Sequence, residues 1–270
     1  MAKKGTRNIP PFTFIDLFAG LGGFNQALST LGGRCVFASE KKEDLQRLYR
    51  LNFPKVVVKG DIENVDIEND IPAHDVLCAG FPCQPFSQAG NQEGFNDTQG
   101  RGNMFDFIIK IINFHRPRYV FLENVANLQT HDKGNTWKII KEKLETEHYV
   151  VHNRILSPHE FGFPQHRKRI YIIAIREDLE VTDYEFPKPT NAICDIHTII
   201  DEGDTNIQMI KQETRFQLDV WEEFLQNVAK SGHTLGGFPI WTMEFGATYD
   251  YEGKKPSLQS CLLYTSDAAD

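Results

Sequence analysis

The stretch FTFIDLFAGLGGF, residues 12 to 24, decides the fold. Its first eight residues, Phe12 to Ala19, form an apolar run rich in β-formers and read as a strand. Gly20, Gly22 and Gly23 follow, and FNQALSTL then places Phe24, Leu28 and Leu31 at helical spacing. A strand that runs through a glycine turn into a helix is the opening unit of an α/β sheet. Such a turn lets a ligand approach the backbone closely. The dinucleotide fingerprint G-x-G-x-x-G fails here, because its sixth position is Asn25.

Working outward, the same alternation continues. RCVFASE reads as a second strand ending at Glu40, and EDLQRLYRLNF as a helix. KVVVKGD reads as a short third strand ending near Asp61, and DVLCAG as a fourth. MFDFIIKIINF is a helix stopped before Pro117, RYVFLENV a fifth strand, and NTWKIIKEKLETE a helix. YVVHNRIL and RIYIIAIR are two further strands with only a loop between them. This pattern predicts an α/β fold with a doubly wound, mostly parallel sheet, its last two strands antiparallel at one edge. Active groups in such sheets gather outside the carboxyl ends of the strands. Gly20, Glu40, Asp61, Cys83 and Glu123 are all expected at or just after strand ends, so one crevice can hold them.

Composition narrows the classes. The chain has 270 residues, 40% of them apolar and 24% charged, which is ordinary for a globular protein. No run is long and apolar enough to span a bilayer, and no apolar stretch follows the basic N-terminus, so neither a membrane span nor a signal peptide is expected. The five cysteines are odd in number and lack C-x-x-C spacing, which argues against a disulfide framework or a zinc site and fits a reducing cytoplasm. The formal net charge of −8 argues weakly against a nucleic-acid partner. Phosphates are contacted by local patches, however, and QHRKRIY carries Arg167, Lys168 and Arg169 in a row.

Particular residues then attract chemistry. Glu40, ending the second strand, can accept two ribose hydroxyls. Asp61, ending the third, is expected near an adenine amine. Taken with the glycine turn, these two acids favour nucleoside binding over a plain packing turn with surface carboxylates. In GFPCQPFS, residues 80 to 87, Cys83 is bracketed by Pro82 and Pro85, which fix local φ and bar a helix. That pins the thiol at the crevice, whereas Cys78 is expected inside the fourth strand. Glu123 stands near an apolar sheet mouth, where desolvation raises a carboxyl pKa. The polar, glycine-bearing stretch from Gln84 to Met104 reads as a lid.

DLFAGLGGF, GFPCQPFS, LENV and QHRKRIYIIA, in that order, resemble the successive motifs of the DNA (cytosine-5)-methyltransferase family. The similarity covers roughly residues 12 to 176, and four motifs in order are specific where any one is weak. The resemblance implies an S-adenosylmethionine-dependent, Rossmann-like catalytic domain acting on a cytosine flipped out of double-stranded DNA. It implies Cys83 as the nucleophile at ring carbon 6 and Glu123 as the acid at ring nitrogen 3. Arg167 and Arg169 would steady the base and the charge around the thiolate. Phe18, Gly20, Leu21, Gly23, Glu40, Asp61, Ile62 and Pro82 match cofactor contacts. A cognate restriction endonuclease, without a stable complex, is the implied functional companion. One departure is Lys41, where some relatives place an aromatic residue that stacks on adenine.

Beyond about Arg176 the character changes. TDYEFPKPT reads as a linker, and RFQLDVWEEFLQNVAKSG lays Phe216, Val220, Trp221, Phe224, Leu225 and Val228 along one helical stripe of core or interface type. The expected organisation is a catalytic and cofactor-binding domain over 1–180 and a linker with the start of a target-recognition region over 181–260. The tail over 261–270 resembles translated sequencing-adapter sequence. The family's two closing motifs are not found, so the chain is expected to be incomplete and to transfer methyl groups weakly or not at all. An RNA cytosine methyltransferase and a non-catalytic cofactor- or DNA-binding fragment remain open beside this reading. A nicotinamide oxidoreductase is disfavoured by the failed glycine fingerprint.

Overall fold

The computed structural model describes residues 11–82, 104–181, 183–190, 192–201, 203 and 208–232. Cys83, the stretch read as a lid up to residue 103, and residues 233–270 lie outside the described residues. The chain divides into two compact units, 1–199 and 200–270.

The first unit is built on a seven-stranded sheet. Its strands are β1 (Phe12–Leu17), β2 (Gly33–Ser39), β3 (Val58–Lys59), β4 (Val76–Ala79), β5 (Tyr119–Val125), β6 (Tyr149–Leu156) and β7 (Arg169–Arg176). They lie in the order β3-β2-β1-β4-β5-β7-β6, so the expected doubly wound sheet is present, with its order reversing between β1 and β4. β1 to β5 pair in parallel, and β7 is antiparallel to both β5 and β6. The last two strands therefore do form an antiparallel edge, but β7 inserts between β5 and β6.

Alternation along the strands explains the double winding. On β1, Phe14 packs with Cys35, Cys78, Phe24 and Phe121 on one face. Ile15 and Leu17 join Leu77, Val120 and Leu122 on the other. Helices α1 (Gly23–Ser29) and α2 (Glu43–Asn52) serve the first face through Phe24, Leu28 and Tyr49. Helices α3 (Met104–His115) and α4 (Asn135–Thr146) serve the second through Phe105, Ile108, Ile112, Ile140 and Leu144. An amphipathic helix on each side buries both faces of a parallel sheet, which is why its strands read as nearly continuous apolar runs.

Two expectations about strand ends are corrected. β1 stops at Leu17 rather than Ala19, because Phe18 takes a left-handed φ of 54° and turns the chain into the glycine loop. Glu123 lies inside β5 rather than past its end. The parallel partner β4 stops opposite Leu122, but the antiparallel ladder of β7 extends β5 to Val125 and pairs Glu123 with Tyr171.

In the second unit the expected helix is α5 (Gln212–Lys230), though Phe216 of its stripe is exposed. Val220, Trp221, Phe224 and Leu225 are half-buried along it, and the Trp221 and Phe224 rings lie 5.6 Å apart.

Candidate active site

The carboxyl ends of β1, β2 and β3 assemble the first half of the site. The backbone N–H of Gly20 donates to Glu40 Oε2 at 2.8 Å, and that of Lys42 donates to Glu40 Oε1 at 2.9 Å. Glu40 is thus nearly buried and held from both sides, with lone pairs on each oxygen still able to accept. A Cβ added to Gly20 or Gly23 would meet nothing within 4 Å, so the loop opens into free space there. Gly22 differs: its φ is +86°, and an added Cβ would lie 2.4 Å from the Phe53 ring and 3.0 Å from that of Tyr49. Leu21 is exposed and Ile62 is buried. A carboxylate with acceptor capacity left, beside open space over two glycines, has the chemistry to accept a pair of hydroxyls.

Asp61 follows β3 and begins a 3-10 turn over Ile62–Asn64, its Oδ1 accepting the Glu63 N–H at 3.3 Å. Its Oδ2 lies 2.7 Å from the ammonium of Lys41. Burial works to raise the Asp61 pKa, but the Lys41 hydrogen bond, the Glu63 N–H and the Lys41 charge together outweigh it and leave the carboxyl below its ordinary range.

The second half stands on β4, β5 and β7. Gly80 follows β4, and its N–H reaches the carbonyl of Leu17 at 3.4 Å, joining the glycine-loop side to this half. An added Cβ on Gly80 would stand 3.6 Å from Glu123 Oε2, so the acid lies against the backbone that leads into Pro82. Arg169 Nε pairs with Glu123 Oε1 at 2.9 Å. Burial raises the Glu123 pKa, and the charges of Arg169 and then Arg167 oppose but do not cancel that rise. Glu123 is therefore a carboxyl that holds its proton more readily than a free one.

The two motif arginines are not equivalent. Arg169 is held in the ion pair, whereas Arg167 and Lys168 are exposed. The Arg167 backbone is fixed instead, its N–H donating to the buried Ser157 Oγ at 2.9 Å. Ser157 also opens a capping box with Glu160, and the His159 and His166 rings stack at 4.6 Å beside it. Phe18 packs against the core at the loop's start, and Pro82 is exposed at the last described position before Cys83.

Several participants were not singled out from the sequence. Tyr171 faces Glu123 across the ladder, a placement that the period-2 spacing from Arg169 signals. Asn124, buried on the opposite face, donates from Nδ2 to the Phe81 carbonyl at 2.9 Å and so ties β5 to the exit of β4. Beneath the glycine loop, the Tyr49 hydroxyl donates to Asp16 Oδ2 at 3.1 Å and accepts from Asn25 Nδ2 at 2.9 Å. Asp16 is fully buried, and its Oδ1 finds no hydrogen-bond partner among the described residues. Desolvation pushes its pKa up to about 7.

Comparison with known proteins places this geometry. The chain matches the family described as C-5 cytosine-specific DNA methylase over residues 12–264. It is 46% identical over 176 residues to the type II methyltransferase M.HhaI of Haemophilus parahaemolyticus, covering 65% of this chain and 53% of that protein. It is 45% identical over 194 residues to M.MspI of a Moraxella species, covering 72% and 45% respectively. The chain thus spans about half the length of the curated relatives it matches. Among solved structures, a DNMT2 variant of Spodoptera frugiperda superposes with a TM-score of 0.57 at 22% identity, covering 74% of this chain and 61% of that one. The methyltransferase EhMeth of Entamoeba histolytica gives 0.53 at 18% identity, covering 69% and 57%. These two likenesses speak to the fold alone. Sequence match, sheet order and the ordered motifs agree: the chain belongs to the C-5 cytosine-specific DNA methylase family.

Proposed function

We propose that this chain carries the catalytic core of an enzyme that transfers a methyl group from S-adenosylmethionine to carbon 5 of cytosine in double-stranded DNA. The observation that carries this is the placement of Glu123. A carboxyl with a raised pKa, held by Arg169, lies against the backbone that delivers Pro82 and then Cys83.

Glu40, Gly20 and Asp61 are the residues that would hold the cofactor's nucleoside, with Phe18, Leu21, Gly23, Ile62 and Pro82 around it. When bound, S-adenosylmethionine supplies an electrophilic methyl group. Cytosine carbon 5 is too electron-poor to accept one unaided. Cys83 would add as thiolate to carbon 6 while Glu123 shares its proton with nitrogen 3, which turns carbon 5 into an enamine nucleophile. Arg169 keeps Glu123 oriented through the bond at 2.9 Å. Exposed Arg167 and Lys168 offer charge to the DNA backbone. Loss of the carbon 5 proton then lets the thiol leave. A cognate endonuclease would be the companion of such an enzyme, a reading that the likeness to type II methyltransferases supports.

The test is covalent trapping. Duplex DNA of mixed sequence carrying 5-fluorocytosine, incubated at length with the protein and S-adenosylmethionine, should accumulate an adduct stable to denaturing electrophoresis even if this chain turns over weakly, because the fluorine blocks the final elimination. Cys83→Ser should give none. An adduct on the equivalent RNA but not on DNA would favour the RNA reading, and an adduct with Cys83→Ser would remove Cys83 as the nucleophile.

A further inference from the structure

Lys41 has no part in the sequence-level account of the site except as a departure from some relatives. The structure gives it a definite position. The chain leaves β2 at Glu40, and the Lys42 N–H turns back to Glu40 Oε1 at 2.9 Å. Lys41 between them reaches across to β3's end, its Nζ 2.7 Å from Asp61 Oδ2. Its side chain is 77% exposed, so the two ammonium N–H groups not used by Asp61 point into accessible space. Asp61 is fixed from the other side by the Glu63 N–H on Oδ1. Side by side at the end of β3 stand one anionic acceptor and one cationic donor.

An adenine ring carries the complementary pattern on either edge of its exocyclic amine: an N–H donor next to a ring-nitrogen acceptor. An acid alone can recognise only the amine. An acid with an ammonium at hydrogen-bond distance can meet both groups, and charge-assisted bonds are the stronger kind. We propose that Lys41 is a specificity-determining contact for the adenine ring, donating to a ring nitrogen flanking the amine that Asp61 accepts. This rests on the cofactor reading above and extends it to a residue outside the matched motif positions.

The experiment is calorimetry of residues 1–270 with S-adenosylhomocysteine and with its 1-deaza and 7-deaza analogues, each lacking one candidate ring nitrogen. Lys41→Met should weaken S-adenosylhomocysteine binding about tenfold, the effect of losing one bond to a charged donor. On one of the two deaza analogues the same substitution should have no effect, because the bond is already missing there. Lys41→Arg should retain most of the affinity. Unchanged or tighter binding by Lys41→Met, or an equal loss on all three ligands, overturns the proposal and leaves Lys41 as a surface ion pair. Absence of S-adenosylhomocysteine binding by the unsubstituted chain is a different result: it removes the cofactor reading itself, and this inference with it.

Discussion

Asp16 shows how strongly one residue can be set by its place on a strand. Alternation along β1 puts it on the same face as Phe14, among Cys35, Cys78 and Tyr49, with Glu40 close enough to oppose its charge. The burial that raises its pKa to about 7 also pushes the Cys35 thiol up to about 12. The folded chain holds the Asp16 proton more tightly than the unfolded chain. Its contribution to stability is therefore full below about pH 4 and is lost as pH rises to about 7. Asp16→Asn removes that titration. The variant should gain on the wild type as pH rises from about 4 to 7, by at most about 4 kcal/mol. Urea unfolding across that window checks it, and a pH-independent difference would contradict it. The same scale holds the main catalytic expectation: Glu123→Gln, which keeps shape but cannot transfer a proton, should cut adduct formation on 5-fluorocytosine DNA by about 100-fold or more.

At the level of elements, the loop between β1 and α1 is built from glycines with different reasons to be glycine. Gly22 starts α1 with a left-handed φ and sits against Phe53 and Tyr49, so packing and backbone both exclude a side chain. Gly20 is left-handed with open space above it. Gly22→Ala should therefore destabilise the fold by about 3 kcal/mol or more, combining strain with overpacking. Gly20→Ala should cost only about 1 kcal/mol in stability yet weaken S-adenosylhomocysteine binding, since its methyl would enter the space proposed for the cofactor. Thermal melts and calorimetry on the two variants separate the effects. Equal stability losses would show that the loop's shape is not set as described. Strand β7 makes the other point at this scale. By extending β5 past the end of β4, it carries Arg169 and Tyr171 to Glu123.

For the whole first unit, acid stability is governed by opposing buried groups. His74 is nearly buried beside His115, with ring centroids 5.1 Å apart. Its Nδ1 is engaged with the Pro72 carbonyl, while its Nε2 finds no partner among the described residues. Desolvation holds its pKa at about 4. The neutral ring's contribution is full above about pH 6.5 and is lost as pH falls through that value toward 4, a change of about 3 kcal/mol. Asp16 acts in the opposite direction over much of this range, so the wild-type stability should vary less with pH than either single variant's. His74→Phe should abolish the acid-side loss, leaving a curve that rises as pH falls from about 6.5 to 4. A variant curve parallel to the wild type would show that His74 is not the group concerned.

The sequence alone determined the succession of elements and the doubly wound sheet. Period-2 and period-3.6 apolar patterns are local, and parallel strands joined by helices leave few alternatives. It also determined which residues cluster, because Gly20, Glu40 and Asp61 follow successive strands and strand ends share one edge. Only the tertiary structure decided that β7 enters between β5 and β6, since either order satisfies the same pattern of strands and loops. That one choice brings Arg169 onto Glu123 and leaves Arg167 exposed. Likewise Lys41 reads as an isolated surface charge until the ends of β2 and β3 are adjacent and its ammonium meets Asp61. Ion pairs and buried orphan oxygens depend on distances between residues far apart in the chain, and no local pattern encodes those distances.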